Sequence, residues 1–191
     1  MTGSVLVLIR HGETEWSRTR RHTGRSDVPL NEAGRERATA LKGRLPVETF
    51  DLVLASPLGR AADTAALAGL DAEPEPDLME WDYGEVEGRT TEELRDETGD
   101  PKWSVWRDGV AGGETLDQVG ARVDRVITRA EAVGGRVALV AHAHVLRILT
   151  ARWLELPPVE GRRFGLDPAS WSMLGHERET RVCVHWNVRV A

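Results

Sequence analysis

Two short apolar runs that lead straight into histidines constrain this chain more than any other feature. The first is Val5-Leu-Val-Leu-Ile9, followed by Arg10-His11-Gly12; the second is Val137-Ala-Leu-Val-Ala141, followed directly by His142. Five-residue runs of this kind, bounded by a charge, a Gly or a polar residue, read as buried strands. A third, Asp51–Ala55, ends on Ser56-Pro57. Between and after them lie helical patterns. Strands alternating with helices pack as a mostly parallel sheet covered on both faces, a three-layer α/β/α arrangement. Ligands of such sheets bind in the crevice beyond the strands' carboxyl ends. Both histidines are therefore delivered to the place where a small molecule would sit.

The helices can be placed from their caps. Asn31 is an N-cap for a helix running to about Leu45 and closed by Pro46; Ser56, with Pro57 at the first helical position, starts another to about Ala68. Glu73–Asp77 is proline-restricted and reads as a short edge strand. Thr91–Glu97 reads as a short helix. Leu116, Val119, Val123, Val126, Ile127 and Ala130 recur at helical spacing, so Thr115 to about Ala132 is amphipathic. His144–Leu154 continues as a helix stopped by Pro157-Pro158. Ser170–His176 and Arg181–Val188 read as a terminal hairpin that adds antiparallel character at a sheet edge. The whole of 1–191 is expected to be one domain. The polar, Gly-rich stretch of about 84–113 is its insertion, in a position to cover the site, with Trp103 and Trp106 packing it down.

Charge narrows the partner. The chain has 25 basic and 31 acidic residues, a formal charge of -6. That balance argues against nucleic acid and leaves room for a local basic pocket. Arg18, Arg20, Arg21, His22 and Arg25 form such a basic stretch, able to read a second anionic group on a substrate. The single Cys183 lies in an alternating strand pattern and is expected to be a small hydrophobe. No Cys-x-x-Cys or His-Glu-x-x-His spacing is present, so no metal or other cofactor is expected. No run approaches the ~20 apolar residues of a membrane span, and the start lacks a basic region before its apolar run. The expectation is a cytoplasmic protein that binds neither membrane nor nucleic acid. Its partners would be a small anionic molecule and, as an option, a second copy of itself.

Five ordered segments carry the chemistry: Leu8-Ile-Arg-His-Gly-Glu-Thr-Glu-Trp16; Thr23-Gly24 through Pro29-Leu-Asn-Glu-Ala-Gly34; Ser56-Pro-Leu-Gly-Arg60 through Thr64-Ala65; Glu80 through Glu87-Gly88; and His142. Together they resemble the histidine phosphatase superfamily, also called the phosphoglycerate mutase-like family. Trp81-Asp-Tyr-Gly-Glu-Val-Glu-Gly-Arg-Thr-Thr91 and Ala141-His-Ala-His144 are similar to the branch with acid phosphatases and sedoheptulose-bisphosphatase-like enzymes. The resemblance implies the same three-layer fold and a phosphohistidine intermediate on His11. A neutral imidazole carries the unprotonated nitrogen a nucleophile needs, and nearby Arg side chains disfavour its protonation.

Arg10 and Arg60 would bind the phosphoryl oxygens, because guanidinium forks match phosphate geometry. His142 would hydrogen-bond the transferring group. Ala143, where relatives commonly have Gly, would add a backbone N–H at a helix start. Thr23 and Gly24 would line the pocket through backbone N–H groups, and Ser17, where relatives often carry Asn, would donate its hydroxyl. Spacing alone leaves Glu80, Asp82, Glu85 and Glu87 open as the general acid; the family pattern assigns Glu80, with Trp81 as apolar cover. His144 and Arg147 reach either the pocket rim or the helix surface. The expected activity is hydrolysis of small phosphorylated metabolites, sugar phosphates foremost. The alternatives are a phosphoglycerate mutase-type transfer, for which a chain of 191 residues leaves little room to close over the site, and a phosphoprotein phosphatase.

Overall fold

A computed structural model describes residues 3–190. Its six strands are β1 (Val5–Arg10), β2 (Leu52–Ala55), β3 (Glu73–Pro74), β4 (Arg136–Ala141), β5 (Ser170–Glu177) and β6 (Thr180–Arg189). They form one sheet in the order β3-β2-β4-β1-β5-β6. The pairings β3·β2, β2·β4 and β4·β1 are parallel; β5 runs antiparallel to β1, and β6 to β5. The hairpin thus closes one edge and the proline-bearing β3 the other, as the sequence predicts.

The central strands are apolar on both sides because both sides are covered. Leu6, Leu8, Val137 and Leu139 face a core shared with Val123, Val126 and Ile127 of α6 (Leu116–Val133) and with Leu146 and Leu149 of α7 (Ala143–Trp153). Val7, Ile9 and Val140 face Leu41, which caps the end of α2 (Glu32–Ala40), and Ala65 and Ala68, which lie in and cap α3 (Gly59–Leu67). Period-two alternation that buries both faces is what a parallel central strand requires.

Three helix boundaries differ from the sequence reading. Asn31 does cap α2, accepting from the Gly34 N–H at 2.8 Å, but the helix ends at Ala40 rather than near Leu45. The N–H groups of Leu41, Lys42 and Arg44 bond three residues back, so the last turn tightens and the helix stops. Ser56 does not cap α3. That helix begins at Gly59 with Leu58 in the cap position and no side-chain cap bond. Ser56 is fully buried at the end of β2; its hydroxyl accepts from the Leu58 N–H at 3.3 Å and meets the His142 ring at 2.7 Å. The third case is α7, which starts one residue early, at Ala143, with His142 itself in the cap position.

The stretch 84–113 folds as α4 (Thr91–Thr98) and α5 (Val105–Asp108) joined by turns. Trp103 and Val105 are buried in the main core, and Trp106 meets Trp81 edge-on at 5.6 Å. Trp106 also packs against His144 and Arg147 of α7.

Candidate active site

Register places the two histidines. Arg10 of β1 pairs with Ala141 of β4 in parallel, so the next residue on each strand, His11 and His142, emerges side by side at the carboxyl end. Their ring centroids are 5.1 Å apart. His11 Nδ1 lies 2.7 Å from the Gly12 carbonyl oxygen. A carbonyl can only accept, so Nδ1 carries the proton and Nε2 keeps its lone pair. Burial, with Arg10 and Arg60 adding like charge, holds this imidazole well below its usual pKa. Glycine at position 12 is required by close approach: a Cβ there would meet the Gly34 carbonyl oxygen at 2.4 Å, where the start of α2 abuts the strand end.

The cavity beside His11 has a volume of about 370 Å³. Arg10 lines it. One Nη donates to the Leu166 carbonyl, but Nε is shut off from solvent and has no hydrogen-bond partner. Burial pulls its pKa down to about 10, with Glu80 and Asp167 opposing the shift. A buried donor without a partner costs free energy unless a ligand supplies the acceptor.

Glu80 lines the same cavity and is almost fully buried. Its Oε1 accepts from the N–H groups of Trp81 and Val145, both at 2.9 Å, and its Oε2 from that of His144 at 3.0 Å. The carboxyl group therefore caps the start of α7 from another segment. Oε1 is used twice and Oε2 once, which leaves Oε2 a lone pair for a proton. Arg122 of α6 fixes this segment from behind: it donates to the carbonyls of Asp77, Met79 and Glu80 and pairs with Glu114 at 2.8 Å. The sequence reading did not single out Arg122, since a lone arginine on an amphipathic helix carries no signal of its target. Asp82 and Glu87 stand outside the cavity lining. Asp82 accepts from Gly84 N–H, and Glu87 accepts from the N–H groups of Gly24 and Ser26.

Arg60 and His142 sit in the same cluster but are engaged differently from the sequence expectation. Arg60 is fully buried and outside the cavity lining. Its Nη atoms donate to the carbonyls of Thr23, Gly24 and Ser26, and its Nε donates to His142 Nδ1 at 3.1 Å. Four of its five N–H bonds are thereby committed to protein. His142 Nδ1 accepts, so its proton is on Nε2 and goes to Ser56 Oγ. A phosphoryl oxygen reaches a His142 nitrogen only by displacing a protein partner, whereas Arg60 keeps one N–H uncommitted. Burial and neighbouring Arg60 keep His142 neutral as well.

Among the weaker expectations, Ser17, Thr23 and Ala143 line the cavity. Ser17 Oγ also closes the capping box of α1 (Glu15–Arg18), accepting from the Thr14 N–H at 2.9 Å. Gly24 does not line the cavity: its N–H goes to Glu87 at 2.8 Å and its carbonyl to Arg60. Glycine fits there because a Cβ would meet the Trp81 carbonyl at 2.5 Å.

His144 and Arg147 both reach the cavity. His144 is held by Tyr83, whose hydroxyl hydrogen-bonds its Nδ1, and by the Trp106 ring at 4.9 Å; burial keeps it neutral. Tyr83 and Leu166 line the cavity too, and the sequence reading assigned neither to it. Burial holds His22, another lining residue, down at a pKa of about 4.

Comparison with known proteins identifies the family. A Mycobacterium tuberculosis protein named acid phosphatase is 42% identical over 182 residues, covering 92% of this chain and 88% of that protein. A Saccharomyces cerevisiae sedoheptulose 1,7-bisphosphatase is 32% identical over 182 residues, covering 78% of this chain and 67% of that protein. A solved structure of a Mycobacterium tuberculosis open reading frame product matches with a TM-score of 0.92 at 37% identity, over 98% of this chain and 99% of that one. The family profile described as histidine phosphatase superfamily (branch 1) matches residues 6–189. The chain belongs to the histidine phosphatase superfamily.

Proposed function

We propose that this chain is a phosphoric monoester hydrolase of small phosphorylated metabolites, sugar phosphates foremost, working through a phosphohistidine on His11. The observation that carries the reading is that one cavity is lined both by His11, whose Nδ1 bond to Gly12 leaves Nε2 with its lone pair, and by the cation Arg10, whose buried Nε has no protein partner. One is a nucleophile held in its reactive form; the other is a cationic donor lacking an acceptor.

His11 Nε2 attacks phosphorus while the bond to the leaving oxygen breaks. The oxygen's electron pair takes a proton from Glu80 Oε2, and the phosphoryl group passes to Nε2. The Gly12 carbonyl on Nδ1–H supports the positive charge the ring acquires. Arg10 binds the phosphoryl oxygens, and Ser17, Thr23 and the start of α7 at Ala143 complete the cradle. Arg60 shapes the 23–26 wall and adds its charge from behind, coupled through His142. Water then gives a proton to the Glu80 carboxylate and attacks phosphorus. The P–N bond breaks and its electron pair returns to Nε2. Guanidinium groups supply the cation that a metal would otherwise provide.

A screen of phosphorylated metabolites, run with chelator present, tests the reading by free phosphate. Release from sugar phosphates is expected. A phosphoryl group moved to a second hydroxyl with no free phosphate would favour the mutase alternative, and no release from any small metabolite would remove the reading.

A further inference from the structure

We propose that Asn187 is a positioning residue for phosphoryl binding: it orients the peptide group whose carbonyl holds Arg10, and so sets where the remaining Arg10 donors point. This rests on the hydrolase reading above and adds a residue that lies outside the cavity lining.

Arg10 lines the cavity from the end of β1. Among the described residues its guanidinium has one hydrogen-bond partner, the Leu166 carbonyl, which accepts from an Nη. Leu166 lies in the irregular segment 164–169 that precedes β5. The aim of Arg10 is therefore no better defined than the orientation of that one carbonyl.

The Leu166 C=O and the Asp167 N–H belong to the same planar peptide group. Asn187 Oδ1 accepts from that Asp167 N–H at 2.8 Å, and Asn187 Nδ2 donates to Asp167 Oδ2, also at 2.8 Å. A peptide rotation that turned the Leu166 oxygen away from Arg10 would break the bond to Asn187. The amide itself has one workable orientation, because a flip would set its donor against the N–H and its oxygen against the carboxylate. Hydrogen bonds on both ends of one peptide group also strengthen each other. Arg189 holds the same carboxylate oxygen at 2.6 Å. The Ala169 N–H donates to the His11 carbonyl at 3.1 Å, so the segment is tied to the backbone of the nucleophile as well.

The local backbone of β6 is shaped for this contact. Trp171 pairs with Val188 but Met173 with His185, so β6 carries an extra residue opposite Ser172. Asn187 is in that bulge, with a φ of 54° and its N–H on Ser172 Oγ at 3.0 Å. A bulge re-aims a side chain, and asparagine is among the few residues that tolerate this region of φ. Here the re-aimed amide meets the segment that holds Arg10.

Calorimetric binding of inorganic phosphate tests the role. Asn187→Gly keeps the backbone freedom the bulge needs and removes the amide. Phosphate affinity should fall about tenfold, the scale of one charge-assisted hydrogen bond. KM for sugar phosphates should rise by a similar factor, with kcat changed far less. Asn187→Asp sets a carboxylate against Asp167 and should also weaken binding; adding Asp167→Asn rebuilds the pair with donor and acceptor exchanged and should restore most of the affinity. That exchange decides the matter if Asn187→Gly does not fold. A role in stability alone would lower the urea midpoint of the variants and leave phosphate affinity and KM unmoved. That result, an exchanged pair no better than Asn187→Asp, or a wild type that binds no phosphate would overturn the proposal. The binding series needs no turnover: phosphate affinity that follows Asn187 in a protein that hydrolyses no metabolite would remove the hydrolase reading and leave the positioning role standing.

Discussion

The floor of the cavity and its wall are held by different means. On the floor, His11 is placed by strand register, with His142 fully buried beside it: parallel pairing of Arg10 with Ala141 fixes both, deep in the sheet. The wall consists of the 17–26 loop, the 77–88 segment and the start of α7. It has little regular structure and is fastened by two buried arginines that donate to backbone carbonyls. Arg60 clamps residues 23–26, and Arg122 clamps residues 77–80. Irregular backbone packed against a core must still satisfy its polar groups. A guanidinium with five donors can satisfy several carbonyls from one side chain. In the proposed reaction the nucleophile His11 can thus stay fixed while the wall that carries Glu80 varies by loop and clamp.

The largest effect should come from the floor. His11→Ala should leave no turnover attributable to the enzyme on any substrate, while the folded state survives, since the change removes the reacting nitrogen and leaves the strand intact. Turnover near wild type would break the assignment of the floor. Next is the acid on the wall. Glu80→Gln should cost about 10²–10⁴-fold on a sugar phosphate, whose alkoxide needs a proton, and far less on a nitrophenyl ester. Equal losses on both would move the acid role to another group.

Arg122→Met sharpens the contrast by loosening the wall without touching the floor. It should lower stability by about 2–4 kcal/mol in denaturant unfolding, because carbonyls and the Glu114 carboxylate lose their donor. It should also weaken turnover of sugar phosphates more than that of nitrophenyl esters, as Glu80 loses its support. Inhibition by inorganic phosphate, read on the floor, should change little. If phosphate inhibition weakens as much as turnover, floor and wall are one unit.

The smallest effect is on pH dependence. Burial lowers the pKa of His11, His22, His142 and His144 in the folded protein. Below about pH 6.5 the unfolded chain binds protons at these sites that the folded chain does not. Stability is therefore fully present above that pH and is lost as pH falls below it. Urea unfolding at pH 7, 6 and 5 should show this fall. The acid limb of kcat/KM should likewise lie well below pH 6.5, since His11 stays neutral there. An activity loss centred at 6.5 would show an imidazole titrating as if exposed.

Much of the floor is legible in the sequence. The runs before His11 and His142 dictate buried parallel strands, and strand ends dictate the site. Much of the wall is not. Ser56 reads locally as a helix cap, yet its hydroxyl serves His142 across the sheet. Arg60 reads as a phosphate ligand, yet most of its donors hold a loop. Glu87 reads as a competing acid, yet it tethers Gly24 and Ser26. Each of these depends on a partner far away in the chain, and such pairings leave no periodicity for a sequence to display. Tyr83 and Leu166 enter the cavity for the same reason: their neighbours are set by tertiary packing.

The most direct test is to trap the intermediate on the floor. Wild-type protein is mixed with a phosphate-labelled sugar phosphate and quenched within milliseconds. Label should appear on the protein, lost in acid and stable in base, and peptide mapping should place it on His11; His11→Ala should carry none. Label on another residue, an acid-stable adduct, or full turnover with no phosphoenzyme in a burst-phase experiment would contradict His11 as the phosphoryl acceptor.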